Sequence, residues 1–172
     1  MKKSIWLYYA GWAAILSAVC MVSSILLSLI GFNPTESAPS TRPHSMYLDA
    51  FDILTAAFLL PVVLALYRVH KRTFPILSLL SIILIAPVTL VGIILHALLI
   101  FEVLFFSDVA YFFFYGLLVL SLWLLLIAYL SHRSHEPKHG LIMSILGATI
   151  IGYPVWAIWI GRLLLSGELT EE

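Results

Sequence analysis

From residue 5 to residue 32 the chain runs for 28 residues without one charged side chain. A helix of about 20 apolar residues spans the roughly 30 Å hydrocarbon core of a bilayer, so this run is long enough to cross one. Inside lipid no water satisfies the backbone, and a single segment can satisfy its own N–H and C=O groups only as an α-helix. Four further apolar runs follow, at 48–67, 75–101, 109–130 and 141–165. The breaks between them carry turn chemistry. Asn33-Pro34 opens a stretch rich in Ser, Thr and Pro, and Pro137 and Gly140 precede the fifth run. Pro75 opens the third, where its missing N–H costs nothing. The expected fold is all-α: a single transmembrane domain over 1–172, a bundle of five transmembrane helices, with an outer loop at 33–47.

Composition agrees with a lipid solvent. The chain is 62% hydrophobic and 10% charged, with a mean hydropathy of +1.07, whereas soluble domains carry roughly 25% charged residues. So few charges cannot coat a water-soluble globule, which excludes a cytoplasmic enzyme and a nucleic-acid binder with a basic face. The lone Cys20 excludes an intrachain disulfide scaffold. Met1-Lys2-Lys3 before an apolar run has the look of a signal peptide. A signal h-region is about 7–15 residues, however, so this run is expected to stay as an uncleaved first helix.

Lys and Arg favour the cytoplasmic side of a membrane. With the N-terminus inside and five spans, Lys2, Lys3, Arg68, Lys71, Arg72, Arg133 and Lys138 fall inside, against Arg42 and Arg162 outside. The expected topology is therefore N-terminus cytoplasmic and C-terminus outside, multi-pass, in the plasma (inner) membrane of a bacterium. Trp6, Tyr8, Tyr9 and Trp12 at the inner start of helix one, with Tyr67 and Tyr129, suit a headgroup belt. Trp156 and Trp159 are expected in the outer half of helix five, and Trp123, mid-span, to serve packing.

Pro61, Pro87 and Pro154 fall within spans and are expected to kink them. Ala10, Ala14 and Ala18 recur every four residues, and Ser17, Ser24, Ser28 and Gly31 follow another face. With Gly147, Gly152 and Gly161 of helix five, these mark close helix packing within the chain. The motif Tyr-x-x-His-basic-x-x-x-Pro occurs at Tyr67–Pro75 and at Tyr129–Pro137. It is read as loop bias rather than as a duplicated hairpin.

Ionisable groups at membrane depth are costly, so each is a candidate functional site. The set is Asp49, Asp52, His96, Glu102, Asp108 and Arg162, all toward the outer face on this threading. His96 is the deepest. Asp49 and Asp52, three residues apart, share one helix face. The expected arrangement pairs Arg162 with Asp52 or Glu102, with His96 beneath. It would be either a structural ion pair or an outward-facing pocket for a small ligand, a cation or a proton. His96, Asp52 and Glu102 are chemically suited to zinc, although no HExxH spacing fixes two ligands on one helix. His132, His135 and His139 read as a solvated inner loop. No Gly-x-Ser-x-Gly elbow or phosphate loop marks an enzyme, and no cofactor is expected. The function expected is therefore non-enzymatic: an accessory, structural or regulatory membrane component. The alternative is a small transporter or ligand- or cation-binding protein built around His96. Expected partners are the lipid bilayer and a second copy or other membrane-complex proteins, with no nucleic acid.

Overall fold

A computed structural model describes residues 5–30, 46–133 and 152–169. Among these the protein is entirely helical: α1 (Ile5–Ile30), α2 (Met46–His70), α3 (Pro75–Ile100), α4 (Phe106–Arg133) and α5 (Gly152–Ser166). The first four are long and apolar enough to span a membrane. Their boundaries follow from local chemistry. Pro75 occupies the first turn of α3, where its missing N–H has no partner to lose. The residue before it, Phe74, is extended with φ −135°, as steric conflict with a following proline requires. Both α2 and α3 run unbroken through Pro61 and Pro87. Pro154 is different, because it lies in the first turn of α5. The residues before Gly152, against which a kink at Pro154 would form, lie outside the described residues.

The order of contacts gives the direction of each helix. Trp6 lies under the Arg68 guanidinium, 5.0 Å from ring centroid to carbon, while Ser24 reaches Asp52 at the other end, so α1 and α2 are antiparallel. Asp49 meets His96 across α2 and α3. Trp123 bonds Ser81 while Phe113 stacks on His96, which makes α3 and α4 antiparallel. On the far side of α1, Gly11 adjoins Gly161 and Leu165 whereas Ser17 bonds Tyr153. Hence α5 also runs antiparallel to α1, and in the same direction as α4. In the bundle α1 packs on α2 and α5, α2 on α3, and α3 on α4, and Trp123 against Trp156 brings α4 to α5.

The last helix departs from the expected fifth span. α5 has 15 residues, about 22 Å at 1.5 Å per residue, and its C-terminal end lies beside the N-terminal end of α1. The expected placement of the two chain ends at opposite faces does not fit this helix. Residues 141–151 of the expected span lie outside the described residues, as do His135, His139, Gly147 and Gly31. The described parts of α4 and α5 run the same way, and the second copy of the loop motif, Tyr129–Pro137, continues into residues outside those described. Trp156 touches Trp123 edge-on at 5.7 Å, and Trp123 in turn reaches Ser81, two turns from the start of α3. Trp156 therefore does not lie toward the Ser24–His96 end.

The core is built where small residues let backbones meet. Ala10, Ala14 and Ala18 are buried, and Gly11 and Gly161 bring α1 and α5 into backbone contact. A Cβ on Gly161 would fall 2.7 Å from the Gly11 carbonyl oxygen. Trp123 is wholly buried and donates its indole N–H to Ser81 Oγ at 2.7 Å, as expected of a packing rather than a belt tryptophan. Val19, Val22, Leu26 and Leu29 of α1 are exposed, which is where apolar side chains belong when the solvent is lipid.

Candidate outer polar cluster

The first two turns of α2 and the last turns of α3 meet at one end of the bundle, the end opposite Trp6 and Arg68. Asp49 and Asp52 project from one face of α2 because three residues carry a helix through most of a turn. His96 lies four residues before the end of α3. The helix dipoles favour this choice of residues: a carboxylate suits the N-terminal end of α2, and an imidazole that can become cationic suits the C-terminal end of α3.

His96 Nδ1 lies 2.8 Å from Asp49 Oδ1. When Asp49 is ionised its carboxylate only accepts, and Nδ1 then carries the hydrogen and donates it. The other ring nitrogen, Nε2, lies 4.0 Å from Asp52 Oδ2. Ser24 of α1 donates its hydroxyl to Asp52 Oδ1 at 2.7 Å. Phe113 of α4 covers the imidazole, stacked at 4.3 Å between centroids with 25° between planes. Thus α2 and α4 meet the ring carried by α3, and α1 joins through Asp52. Burial is graded across the cluster: the Asp49 side chain is 1% exposed, His96 14% and Asp52 38%. The interior end is a packed hydrogen bond and the Asp52 end is open.

Of the residues singled out from sequence, Asp49, Asp52 and His96 come together. Glu102 and Arg162 do not join them. Glu102 is exposed on the turn after α3 and holds a left-handed backbone, φ +56°. Its N–H bonds the Leu99 carbonyl and that of Val103 bonds Leu98, a Schellman termination of α3. Glu102 thus occupies the position where helices usually place glycine, as α5 does with Gly167 at φ +80°. Arg162 is exposed on α5 next to Gly161, which packs on Gly11, Ala14 and Ile15. Asp52 is at the level of Ser24, nine residues further along α1 than Ile15, or about 13 Å. The expected Arg162–Asp52 or Arg162–Glu102 pair is therefore not formed. Asp108 accepts the Phe105 N–H at 3.1 Å and caps the start of α4.

Zinc ligation by His96, Asp52 and Glu102 loses its third member. Among the described residues no group of three or more His, Cys, Asp or Glu side chains is arranged to hold a metal. Two members escaped sequence reading as site residues, Ser24 and Phe113. Ser24 carried a usable signal, since it lies two turns from Ser17 on one face of α1. Phe113 sits among Phe112, Phe114 and Tyr115, and nothing in the sequence distinguishes it from them.

A second polar tie lies deeper. Ser17 Oγ donates to the Thr55 carbonyl at 3.1 Å and sits 2.7 Å from Tyr153 Oη. With its own hydrogen committed to Thr55, Ser17 accepts from Tyr153, and one hydroxyl joins α1, α2 and α5.

No protein-family model matches the chain, and neither a curated protein nor a solved structure is similar to it.

Proposed function

We propose that this chain is a small, non-enzymatic, multi-pass membrane protein, an accessory, structural or regulatory component, whose outer polar cluster clamps α1, α2 and α3 in fixed order. The observation that carries the reading is the Asp49–His96 hydrogen bond. It is buried, closed over by Phe113, and extended to α1 through Asp52 and Ser24. Such a packed, multi-helix tie is what a structural role requires, since helices in lipid associate through packing and interhelical hydrogen bonds. The proposed partners are lipid and a second copy or other membrane subunits, in the inner membrane of a bacterium.

For orientation we infer that the N-terminal end of α1 is cytoplasmic and that the end of α5 returns to the same side. Support comes from the basic residues. If α5 ends on the cytoplasmic side, Arg162 joins Lys2, Lys3, Arg68, Lys71, Arg72, Arg133 and Lys138 there, leaving Arg42 alone outside. Eight against one is a stronger positive-inside bias than the seven against two of five full spans.

The clamp is tested by unfolding His96→Leu, Asp49→Leu and the double variant in mixed micelles. Each single change strands a buried polar partner and is expected to cost about 2–4 kcal/mol. The double variant should recover much of that. Strictly additive losses would refute a clamp.

A second reading, a small transporter or a ligand- or cation-binding protein, is favoured by one observation: Asp52 remains 38% exposed while facing His96 Nε2 at 4.0 Å. For that reading, His96→Ala should alter ligand or proton handling in vesicles while leaving the fold intact.

A further inference from the structure

The gradient of burial through the cluster has a chemical direction. With Asp49 ionised and accepting from Nδ1, the tautomer is fixed and the Nε2 lone pair is directed toward Asp52. That lone pair is the one basic position on the ring, and Asp52 beside it is the most exposed member of the cluster. At 4.0 Å the pair is too far apart for a hydrogen bond. Closing it to about 2.8 Å, the usual charge-assisted length, needs a movement of only about 1.2 Å. Ser24 donates to Oδ1, and Oδ2 is the oxygen that lies on the His96 side.

We propose that His96 Nε2 and Asp52 form a reversible proton-binding site at the outer end of the bundle. The ligand is the proton: hydronium delivers it to Nε2 and leaves as water, and the imidazolium then bonds Asp52 Oδ2. Asp49 is a positioning residue, since it sets which nitrogen is free. Proton uptake places one cation between two carboxylates of α2 and tightens α3 onto α2. Among the described residues, the groups facing the ring from each packed element fit this role. They are Asp49 and Asp52 from α2, Ser24 of α1 behind Asp52, and the Phe113 ring of α4. Asp108 lies five residues before Phe113 on α4 and is engaged with Phe105 and Ser107, and Glu102 stands six residues beyond His96 on the exposed turn.

The proposal uses the cluster of the clamp reading and adds the ligand. The test is nitrogen NMR of the full chain in lipid nanodiscs with labelled histidine, His96 being assigned among the six histidines with His96→Gln. Over about pH 4 to 9, Nδ1 should stay protonated while Nε2 gains a proton reversibly. Asp52→Asn should weaken proton binding about fivefold or more, because a carboxylate about 4 Å away is lost, and Asp52→Glu should restore it. A His96 that keeps one protonation state across the range in folded protein overturns the proposal. So does a titration unmoved by Asp52→Asn. If His96→Leu leaves stability unchanged while His96 titrates with Asp52, the clamp fails and the proton site stands. A destabilised His96→Leu with no titration gives the reverse.

Discussion

Replacing Gly161 by alanine should separate α1 from α5. An ideal Cβ there lies 2.7 Å from the Gly11 carbonyl oxygen, 2.8 Å from Ile15 Cγ1 and 3.4 Å from Ala14 Cβ. The Ile15 methylene belongs to a side chain that can turn away. The Gly11 carbonyl belongs to a helix backbone and cannot. Restoring an ordinary 3.4 Å contact requires the two helices to part by at least 0.7 Å at this point. Such overpacking costs about 1–3 kcal/mol, more than the fraction of a kcal/mol that alanine gains over glycine in a helix interior. Gly92 is the internal control. A Cβ there meets nothing within 4 Å, so Gly92→Ala should be neutral or stabilising by up to about 1 kcal/mol. Gly11→Ala should resemble Gly161→Ala, because its Cβ would fall 2.9 Å from the Gly161 carbonyl oxygen. The double variant should lose less than the sum, since both strain one crossing. Reversible unfolding in mixed micelles, followed through the paired Trp123 and Trp156, measures all four. A Gly161→Ala protein as stable as Gly92→Ala would refute the close crossing, and with it the direction assigned to α5.

That direction can also be tested by labelling. In a Cys20→Ala background, single cysteines at Lys71 and at Glu168 should react with an impermeant maleimide from the same side of sealed vesicles; opposite sidedness would overturn the returning α5. Glu102→Gly should stabilise the protein by about 0.5–1 kcal/mol, since glycine carries no penalty at φ +56°. Gly167→Ala, at φ +80°, should destabilise by about 1 kcal/mol; both are read as unfolding free energies, and opposite signs would refute the Schellman assignment. Trp123→Phe should cost about 1–3 kcal/mol, through the lost bond to Ser81 and the space left by the indole. If Ser81→Ala is equally costly and the double variant no worse, the bond rather than the volume carries it.

The four long helices were legible because their apolar runs have the length of a bilayer and their breaks carry proline, asparagine and charge. The meeting of Asp49, Asp52 and His96 was legible for a related reason: alternating helices place residues 49–52 and 96 at one height, and carboxylates and an imidazole there need one another. Direction within the last run was not legible. A mean over 141–165 registers apolar content, and a helix that begins at Gly152 and returns has the same content as half of one that crosses. Arg162 went to the wrong end for this reason, and its expected partners with it. Glu102 was drawn into the cluster because charge is visible in a sequence and a left-handed backbone is not.

Lipid as solvent explains why polar side chains tie this bundle together at separate levels. Burying a leucine between helices gains little when the alternative is an equally apolar lipid tail. Large apolar residues therefore sit outward on α1, while its inward face carries glycine, alanine and serine. Each inward group acts by a short-range interaction that works for one register only. Gly11 fits against Gly161, the Ser17 hydroxyl is committed to both Thr55 and Tyr153, and Ser24 reaches Asp52. Sliding α1 by one turn, about 5.4 Å, would break the Gly11 and Ser17 contacts and would set Ala13 and Ala14, or Cys20 and Met21, against Thr55 and Tyr153. Register is thus fixed by hydrogen bonds and close approach rather than by buried area. The tie at Ser24 includes Asp49, Asp52 and His96, so in the proposed proton site charge would change at one level of the bundle, above the Ser17 and Gly11 contacts.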